Sequence, residues 1–188
     1  MKKRIWWSLF SAALLSLSVL CCPPSAFAAD ALSVSKLLFV DNVTGLSQYT
    51  PKQGARFAIG DICTVYIEIT GFALNPADPD SEDEFALDLA VDLTIRMPQR
   101  RRAIIVSEKD FNTLSTTVRS KLNTTFTAFS FLFDEDWDTG DYVIELTLRD
   151  NISGQSVTQA MNYKLEEPTE ADLTRQAEQN KNRPSEPQ

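Results

Sequence analysis

One segment of the chain, Phe85–Met97, alternates apolar residues with polar or small ones over its whole length. Side chains of a β-strand point to opposite faces in turn, so this alternation places every second side chain on one face. An α-helix would scatter the same side chains around its circumference. The segment therefore predicts a long strand in an antiparallel sheet with one buried and one wet face. Its apolar positions are Phe85, Leu87, Leu89, Val91, Leu93, Ile95 and Met97.

Shorter segments of the same kind recur along the chain and are separated by turn residues. The seven predicted strands are 32–43, 62–72, 85–97, 103–106, 123–133, 142–149 and 155–165. Residues 107–122 combine a nearly helical apolar spacing with many Ser and Thr residues, and we expect a connection between sheets with one short helical turn. The pattern predicts an all-β fold, a single antiparallel β-sandwich of about seven strands, with a closed barrel as the alternative.

The N-terminus has the three parts of a secretory signal peptide. Basic residues at positions 2–4 precede an apolar stretch over 5–20, and Ala26-Phe27-Ala28 forms a small-residue cleavage site. We expect cleavage of residues 1–28 after Ala28 and a mature protein that is periplasmic or secreted by a bacterium. An uncleaved anchor is one alternative, but the apolar stretch is shorter than the ~20 residues of a membrane span. Lipidation of Cys21 or Cys22 is another, but Leu20 precedes Cys21 where a lipidated cysteine usually follows a small residue. No stable membrane insertion is expected after cleavage.

The charge of the chain limits its partners. The formal charge is −8, and removal of Lys2, Lys3 and Arg4 with the signal peptide makes it −11. Nucleic acid and anionic lipid repel such a protein, so neither is an expected partner. Residues 29–165 contain the predicted strands and form the predicted domain. Residues 166–188 have little apolar content, and we expect a disordered acidic and polar tail with at most a fraying helix around 171–179.

The chain lacks the common catalytic and metal-binding residue sets. It contains no histidine, and Cys63 is the only cysteine outside the predicted signal peptide. A Ser-His-Asp triad, a His-based zinc site and an intrachain disulfide are therefore excluded for the mature chain. Cys63 alternates with Val65 and Ile67, which predicts a core thiol rather than a reactive one. Asp88 and Asp92 are expected to be solvated on the polar face of their strand, and we predict that the protein is not an enzyme.

The acidic corner of residues 134–141 is the best candidate for a ligand site. Asp134, Asp136 and Asp138 stand at alternate positions before Gly140, and Ca²⁺ prefers several oxygen ligands on a tightly turning backbone. The three aspartates are therefore candidate calcium ligands, and calcium is the one cofactor that the sequence suggests. The pattern departs from an EF-hand loop because the glycine comes one position late. The alternative is a polar corner that only connects two strands.

Residues 137–150, continued by Ser153, Gly154 and Gln155, resemble the last hairpin of immunoglobulin-like and fibronectin type III-like domains. In those folds a tyrosine near the start of the sixth strand hydrogen-bonds back across the preceding corner, and Tyr142 is similar to it. The chain departs from true immunoglobulin domains because it lacks their cysteine pair and the tryptophan of their third strand. The resemblance implies an immunoglobulin-like sandwich of the bacterial kind and does not choose a function.

A function is therefore predicted only in outline. We expect a non-enzymatic module that binds an envelope or extracellular protein partner through its loop ends or sheet edges. The alternative is a calcium-binding or carbohydrate-binding module, in which the rings of Trp137 and Tyr66 would form the platform for a sugar. A third hypothesis is a carboxylate-dependent hydrolase, which would need two acidic side chains that converge in one cleft.

Overall fold

The computed structural model describes residues 31–77, 84–99 and 103–181, and the predicted signal peptide with its cleavage site lies outside these ranges. Within them no helix combines the length and the apolar character that a membrane span needs. The elements are β1 (Ser33–Gly45), β2 (Gln48–Pro51), β3 (Arg56–Ala58), β4 (Ile62–Thr70), β5 (Asn75–Pro76), β6 (Phe85–Met97), β7 (Ala103–Val118), β8 (Thr124–Leu132), β9 (Gly140–Asp150), β10 (Ser156–Glu166) and α1 (Glu170–Lys181).

The strands form two sheets. Sheet A has the order β2-β1-β4-β8, and sheet B has the order β3-β10-β9-β6. On sheet B, β7 pairs along one edge of β6, and β5 pairs with the start of β6 on the edge that β9 also uses. The all-β prediction is confirmed, but the count of seven strands is wrong, since the described ranges contain ten. The expected purely antiparallel pairing is also wrong at one place, because β3 pairs with β10 in parallel. The strands β2, β3 and β5 were missed because two to four residues are too few to show an alternation.

The apolar faces of the two sheets share one core. The predicted side chains of β6 are buried from Leu87 to Met97, and Phe85 at the start of the strand is half-buried. Side chains of β4 belong to the same buried cluster, namely Cys63, Val65, Ile67 and Ile69. The alternation of β6 and the core position of Cys63 are thus confirmed. Burial raises the pKa of the Cys63 thiol, which keeps it protonated and unreactive.

The prediction for residues 103–122 is also wrong, because β7 is longer than expected. The sequence predicts a strand over 103–106 and then a connection with a helical turn, whereas the structure has one strand of 16 residues that pairs with β6 throughout. A bulge causes the difference. Leu93 pairs with Glu108 but Val91 pairs with Asn112, so several residues of β7 lie opposite one residue of β6. This insertion interrupts the period of two and makes the apolar spacing of β7 look helical.

An ionic network holds the bulge in place. Asp110 has a left-handed backbone with φ of 54°, and its N–H donates to Asp92 Oδ1 at 2.8 Å. Arg149 on β9 donates to both Asp92 carboxylate oxygens, at 2.9 and 3.0 Å, and also to the Asp110 carboxylate. We call these three residues the Arg149 network. The hydrogen bond from Arg149 lowers the pKa of Asp92, so this residue is paired rather than simply solvated as the sequence suggests.

The bulge directs the next residues of β7 toward the other sheet. The Phe111 ring packs edge-on against Phe129 of β8 with centroids 5.0 Å apart, and Asn112 Nδ2 donates to Thr127 Oγ1 at 3.0 Å. No backbone pairing between β7 and β8 accompanies these side-chain contacts within the described residues. Sheet B thus curls until its β7 edge meets the β8 edge of sheet A. A plain two-layer arrangement of flat sheets does not describe this geometry.

Substitutions at Asp110 test the left-handed bulge. We expect Asp110→Ala to lower the free energy of unfolding by about 1–2 kcal/mol more than Asp110→Gly, because both remove the carboxylate but only alanine places a Cβ in the left-handed region. Urea denaturation of the two variants measures the difference. Equal stabilities would show that Asp110 has an ordinary extended backbone.

Acid sensitivity tests the Arg149 network. The folded pKa of Asp92 is lowered from the usual 3.8, so the network stabilises the fold fully above that pH. Its contribution is then lost as the pH falls through the lower, folded pKa. We expect Asp92→Asn to be less stable than the wild type at pH 7 and to lose less of its stability below pH 4. Urea midpoints at pH 7 and below pH 4 measure these stabilities. An equal loss of stability below pH 4 in the wild type and in Asp92→Asn would contradict the prediction.

Candidate binding groove

Three chain segments meet at one end of the core that the two sheets share. They are the turn of residues 59–61 between β3 and β4, the end of β8 with its following corner, and helix α1. The Gly60 N–H donates to the Phe133 carbonyl at 2.6 Å, and the Phe133 N–H donates to the Asp61 carbonyl at 3.0 Å. The Ile59 N–H donates to the Glu166 carbonyl at 3.0 Å. These bonds fix the turn between the ends of both sheets.

A buried carboxylate anchors α1 to this turn. Asp61 is 4% exposed and accepts the Ala58 N–H at 3.0 Å. Arg175 Nη2 lies 2.9 and 3.2 Å from its two oxygens, and Gln176 Nε2 donates to Asp61 Oδ1 at 2.9 Å and to the Ile59 carbonyl at 3.0 Å. Both oxygens of the Asp61 carboxylate therefore accept hydrogen bonds, as a buried carboxylate requires.

Gly60 permits the close approach of α1. Its φ is 93°, and a Cβ at this position would stand 2.6 Å from Gln176 Oε1. Both the backbone conformation and the space favour glycine. At its start α1 is capped by Thr169, whose hydroxyl donates to Asp172 Oδ2 at 2.6 Å and whose Oγ1 accepts the Asp172 N–H at 3.3 Å.

The expected disordered tail is corrected for residues 166–181. β10 continues to Glu166, and α1 is a 12-residue helix that is anchored to the turn after β3, rather than a fraying helix around 171–179. Disorder was expected because α1 has few apolar residues. Its order comes instead from polar contacts to Asp61 and Ile59, which composition does not reveal. Residues 182–188 lie outside the described ranges.

A groove of about 640 Å³ opens between α1 and the corner after β8. We call it the α1 groove. Three of the six large apolar side chains that are exposed within the described residues line it, namely Ile62 at 42%, Leu132 at 48% and Leu173 at 53% exposure. Ile62 and Leu132 are direct partners in the β4–β8 register and so form one apolar patch. The other lining residues are Ile59, Gly60, Asp134, Glu135, Asp136, Pro168 and Gln176.

The acidic rim of the groove consists of Asp134, Glu135 and Asp136. All three are exposed, and none forms an ion pair with a described residue. Asp134 Oδ1 accepts the Asp136 N–H at 3.1 Å, which gives the corner its turn. The rim thus places negative charge beside exposed apolar surface.

The candidate calcium ligands are not brought together. Within the described residues no group of three or more acidic, histidine or cysteine side chains is arranged to hold a metal ion. Asp134 and Asp136 lie on the α1 groove, whereas the Asp138 carbonyl accepts the Tyr142 hydroxyl at 2.6 Å. The corner therefore serves as a turn with a tyrosine hydrogen bond across it. Calcium binding at Asp134, Asp136 and Asp138 remains a hypothesis without an assembled ligand set.

The aromatic platform expected for a sugar is not formed. The Tyr66 ring is fully buried between Tyr49 and Phe126, with centroids 4.6 and 5.6 Å away. The Trp137 ring is half-buried and packs edge-on against Phe133 at 5.2 Å. Neither ring offers an open face beside the other, so Trp137 acts as a cap on the core at this corner.

A pair of carboxylates does converge on the outer face of sheet B, but its environment is unsuited to acid catalysis. Asp92 and Asp110 both bind Arg149, and this pairing lowers the pKa of Asp92. A catalytic acid at neutral pH needs a raised pKa. Neither carboxylate lines the α1 groove.

The apolar residues of the groove were missed by sequence reasoning. Ile62 falls in phase with Thr64 and Glu68, on the face of β4 expected to be wet, and Leu132 falls in phase with Ser130 on β8. An apolar residue on a polar face was the available signal. Because the two residues lie in separate strands, only the register of the sheet shows that they are neighbours.

No family model and no curated protein matches the sequence. Among solved structures, the fold is similar to that of the alkylpurine DNA glycosylase AlkC of Pseudomonas fluorescens, with a TM-score of 0.44 and 10% identity over 72% of this chain and 30% of that chain. It is also similar to the C-terminal domain of Wzt, with a TM-score of 0.44 and 9% identity over 74% of this chain and 75% of that one.

A family 123 glycoside hydrolase from Clostridium perfringens is similar with a TM-score of 0.39 and 7% identity, over 74% of this chain and 27% of that one. The chain thus spans less than a third of the length of this hydrolase and of AlkC. At such low TM-scores these structures give no argument about function or about a particular β-fold family.

Substitution of Asp61 tests the anchoring of α1. We expect Asp61→Ala to lower the free energy of unfolding by about 1–3 kcal/mol, because it leaves the Ala58 N–H without its acceptor and Arg175 without its buried partner. Hydrogen exchange in α1 should become faster than in the wild type. The matched control is Glu178→Gln on the exposed side of the same helix. Unchanged exchange in α1 after Asp61→Ala would contradict the anchor.

Proposed function

We propose that this chain is an exported, non-enzymatic binding module that holds a protein partner in the bacterial envelope through the α1 groove. The exposed apolar patch of Ile62, Leu132 and Leu173 carries the proposal. Apolar side chains gathered on one surface and rimmed by charge are typical of interaction sites, whereas scattered ones are not. The signal-peptide pattern of residues 1–28 supports export.

The fold assignment within this proposal is an immunoglobulin-like β-sandwich. The hydrogen bond from the Tyr142 hydroxyl to the Asp138 carbonyl supports it, because immunoglobulin-like domains use a tyrosine in this way to brace a corner. Domains of this architecture serve widely as binding modules, with specificity set by the loops at one end. The α1 groove lies at such an end.

A non-enzymatic role agrees with the side chains present. The sequence contains no histidine, the Cys63 thiol is buried, and the carboxylates that converge, Asp92 and Asp110, are both bound by Arg149. The polar residues of the groove form a rim of like charge without a paired base or nucleophile. A surface of this kind favours recognition over chemistry.

Site-specific photo-cross-linking tests the proposal. A benzoylphenylalanine at Leu132 should give one major cross-linked envelope protein in the native cell, while the same residue at Thr158, exposed on β10 of sheet B, should not. The adduct should disappear when the partner is deleted. Equal cross-linking at both positions, or none at Leu132, would contradict binding at the groove. An N-terminus other than Ala29 on the envelope form would contradict the cleavage prediction.

Thermal melting with and without calcium distinguishes the proposed protein-binding module from the calcium-binding alternative. A ligand of the folded state raises the melting temperature by mass action. We expect equal melting temperatures in millimolar calcium and in chelator, because Asp134, Asp136 and Asp138 do not converge. A higher melting temperature in calcium, abolished by Asp136→Asn, would support the calcium-binding module instead.

A further inference from the structure

The side chains that line the α1 groove indicate which kind of partner segment it binds; this inference rests on the proposed function. We infer that the groove binds an extended peptide segment of the partner in which an apolar side chain stands next to Lys or Arg residues. The apolar group would cover the Ile62–Leu132 patch, and the cations would face the acidic rim.

The apolar half of this inference follows from the sheet register. Ile62 and Leu132 lie opposite each other on β4 and β8, and both are more than two-fifths exposed. Leu173 reaches the groove from α1 on the other side. A side chain inserted between these walls is buried on two sides, which is favourable because apolar area is removed from water.

The cationic half follows from the rim. Asp134, Glu135 and Asp136 are consecutive, and none has an ion-pair partner among the described residues. A purely apolar occupant would remove water from these carboxylates and leave them uncompensated, which is costly. An acidic occupant would be repelled by the carboxylates of the rim and by the formal charge of −8 of the whole chain. A cation beside the apolar group compensates the carboxylates and avoids like-charge repulsion. It also raises the rate at which the partner associates with the groove.

The segment directly after α1 does not combine a cation with a large apolar side chain. Residues 182–188, which follow α1, contain Arg183 but no large apolar side chain. A second copy would bring its own net negative charge against the rim. The volume of about 640 Å³ suits a few side chains of a short segment rather than a whole folded surface. The partner segment is therefore the occupant that satisfies charge and size together.

Trp137 provides a direct probe of occupancy. It is the only tryptophan outside residues 1–28, it follows the acidic rim in the chain, and its ring packs on Phe133. The probes are three nine-residue peptides that alternate lysine with leucine, glutamate with leucine, or lysine with serine. We expect saturable quenching or shift of the Trp137 emission with the lysine–leucine peptide, weakened at 0.5 M salt, and none with the other two.

Groove variants locate the binding. We expect Glu135→Gln with Asp136→Asn to weaken binding of the lysine–leucine peptide about three- to tenfold, and Leu132→Ser to weaken it by a similar factor. The matched control is Glu108→Gln, an exposed acid on β7, which should bind as the wild type does. Thermal melts confirm that each variant is folded.

The outcomes separate this inference from the proposed function. Failure of the lysine–leucine peptide to bind, equal binding of the glutamate–leucine peptide, or insensitivity to the groove variants would overturn the cationic and apolar occupant. Cross-linking at Leu132 makes no assumption about peptide chemistry. A partner captured there despite a negative peptide result would leave the binding module standing and refute only the occupant. Absence of the cross-link would refute the site itself.

Discussion

The curl of the molecule depends on the Arg149 network. Arg149 on β9 binds Asp92 on β6 and Asp110 on β7, so a single guanidinium ties three adjacent strands at the bulge. The bulge is what lets Phe111 leave the plane of sheet B and pack on Phe129 of sheet A. The β7 and β8 edges do not pair with each other within the described residues, and unpaired edges can recruit other chains. The contact between Phe111 and Phe129 holds the two edges against each other, so the ionic network supports both the curl of sheet B and the covering of these edges.

A second carboxylate organises the end of the molecule that we assign to binding. Asp61 accepts hydrogen bonds from the turn after β3 and from two side chains of α1. The helix buries few apolar groups of its own, and Leu173 remains exposed. Its position on the sandwich is thus set by directional polar contacts rather than by hydrophobic area. Such contacts hold one wall of the α1 groove at a defined distance from Ile62 and Leu132, which is what a preorganised binding site requires.

The groove itself combines two features that are unfavourable for a free protein. Exposed Ile62 and Leu132 lose the benefit of burial, and the crowded carboxylates of the acidic rim repel one another. Neither feature helps the fold, because the core is complete beneath them and Tyr142 already braces the corner. An occupant that covers the apolar patch and neutralises the rim would relieve both. This complementarity is the physical reason for assigning recognition to this surface rather than to the Arg149 network, whose two carboxylates already bind a guanidinium.

Local patterns in the sequence determined the all-β class, the buried faces of β4 and β6, and the core position of Cys63, because strand alternation depends only on neighbouring residues. They also pointed to the corner of Asp134 and Asp136, though for calcium. Only the tertiary structure decided the rest. The bulge at Asp110 broke the alternation of β7, and α1 owes its order to Asp61, 114 residues before Arg175. Ile62, Leu132 and Leu173 come from three elements far apart in the chain. Contacts between such distant residues arise from sheet register and helix docking, which no local pattern encodes.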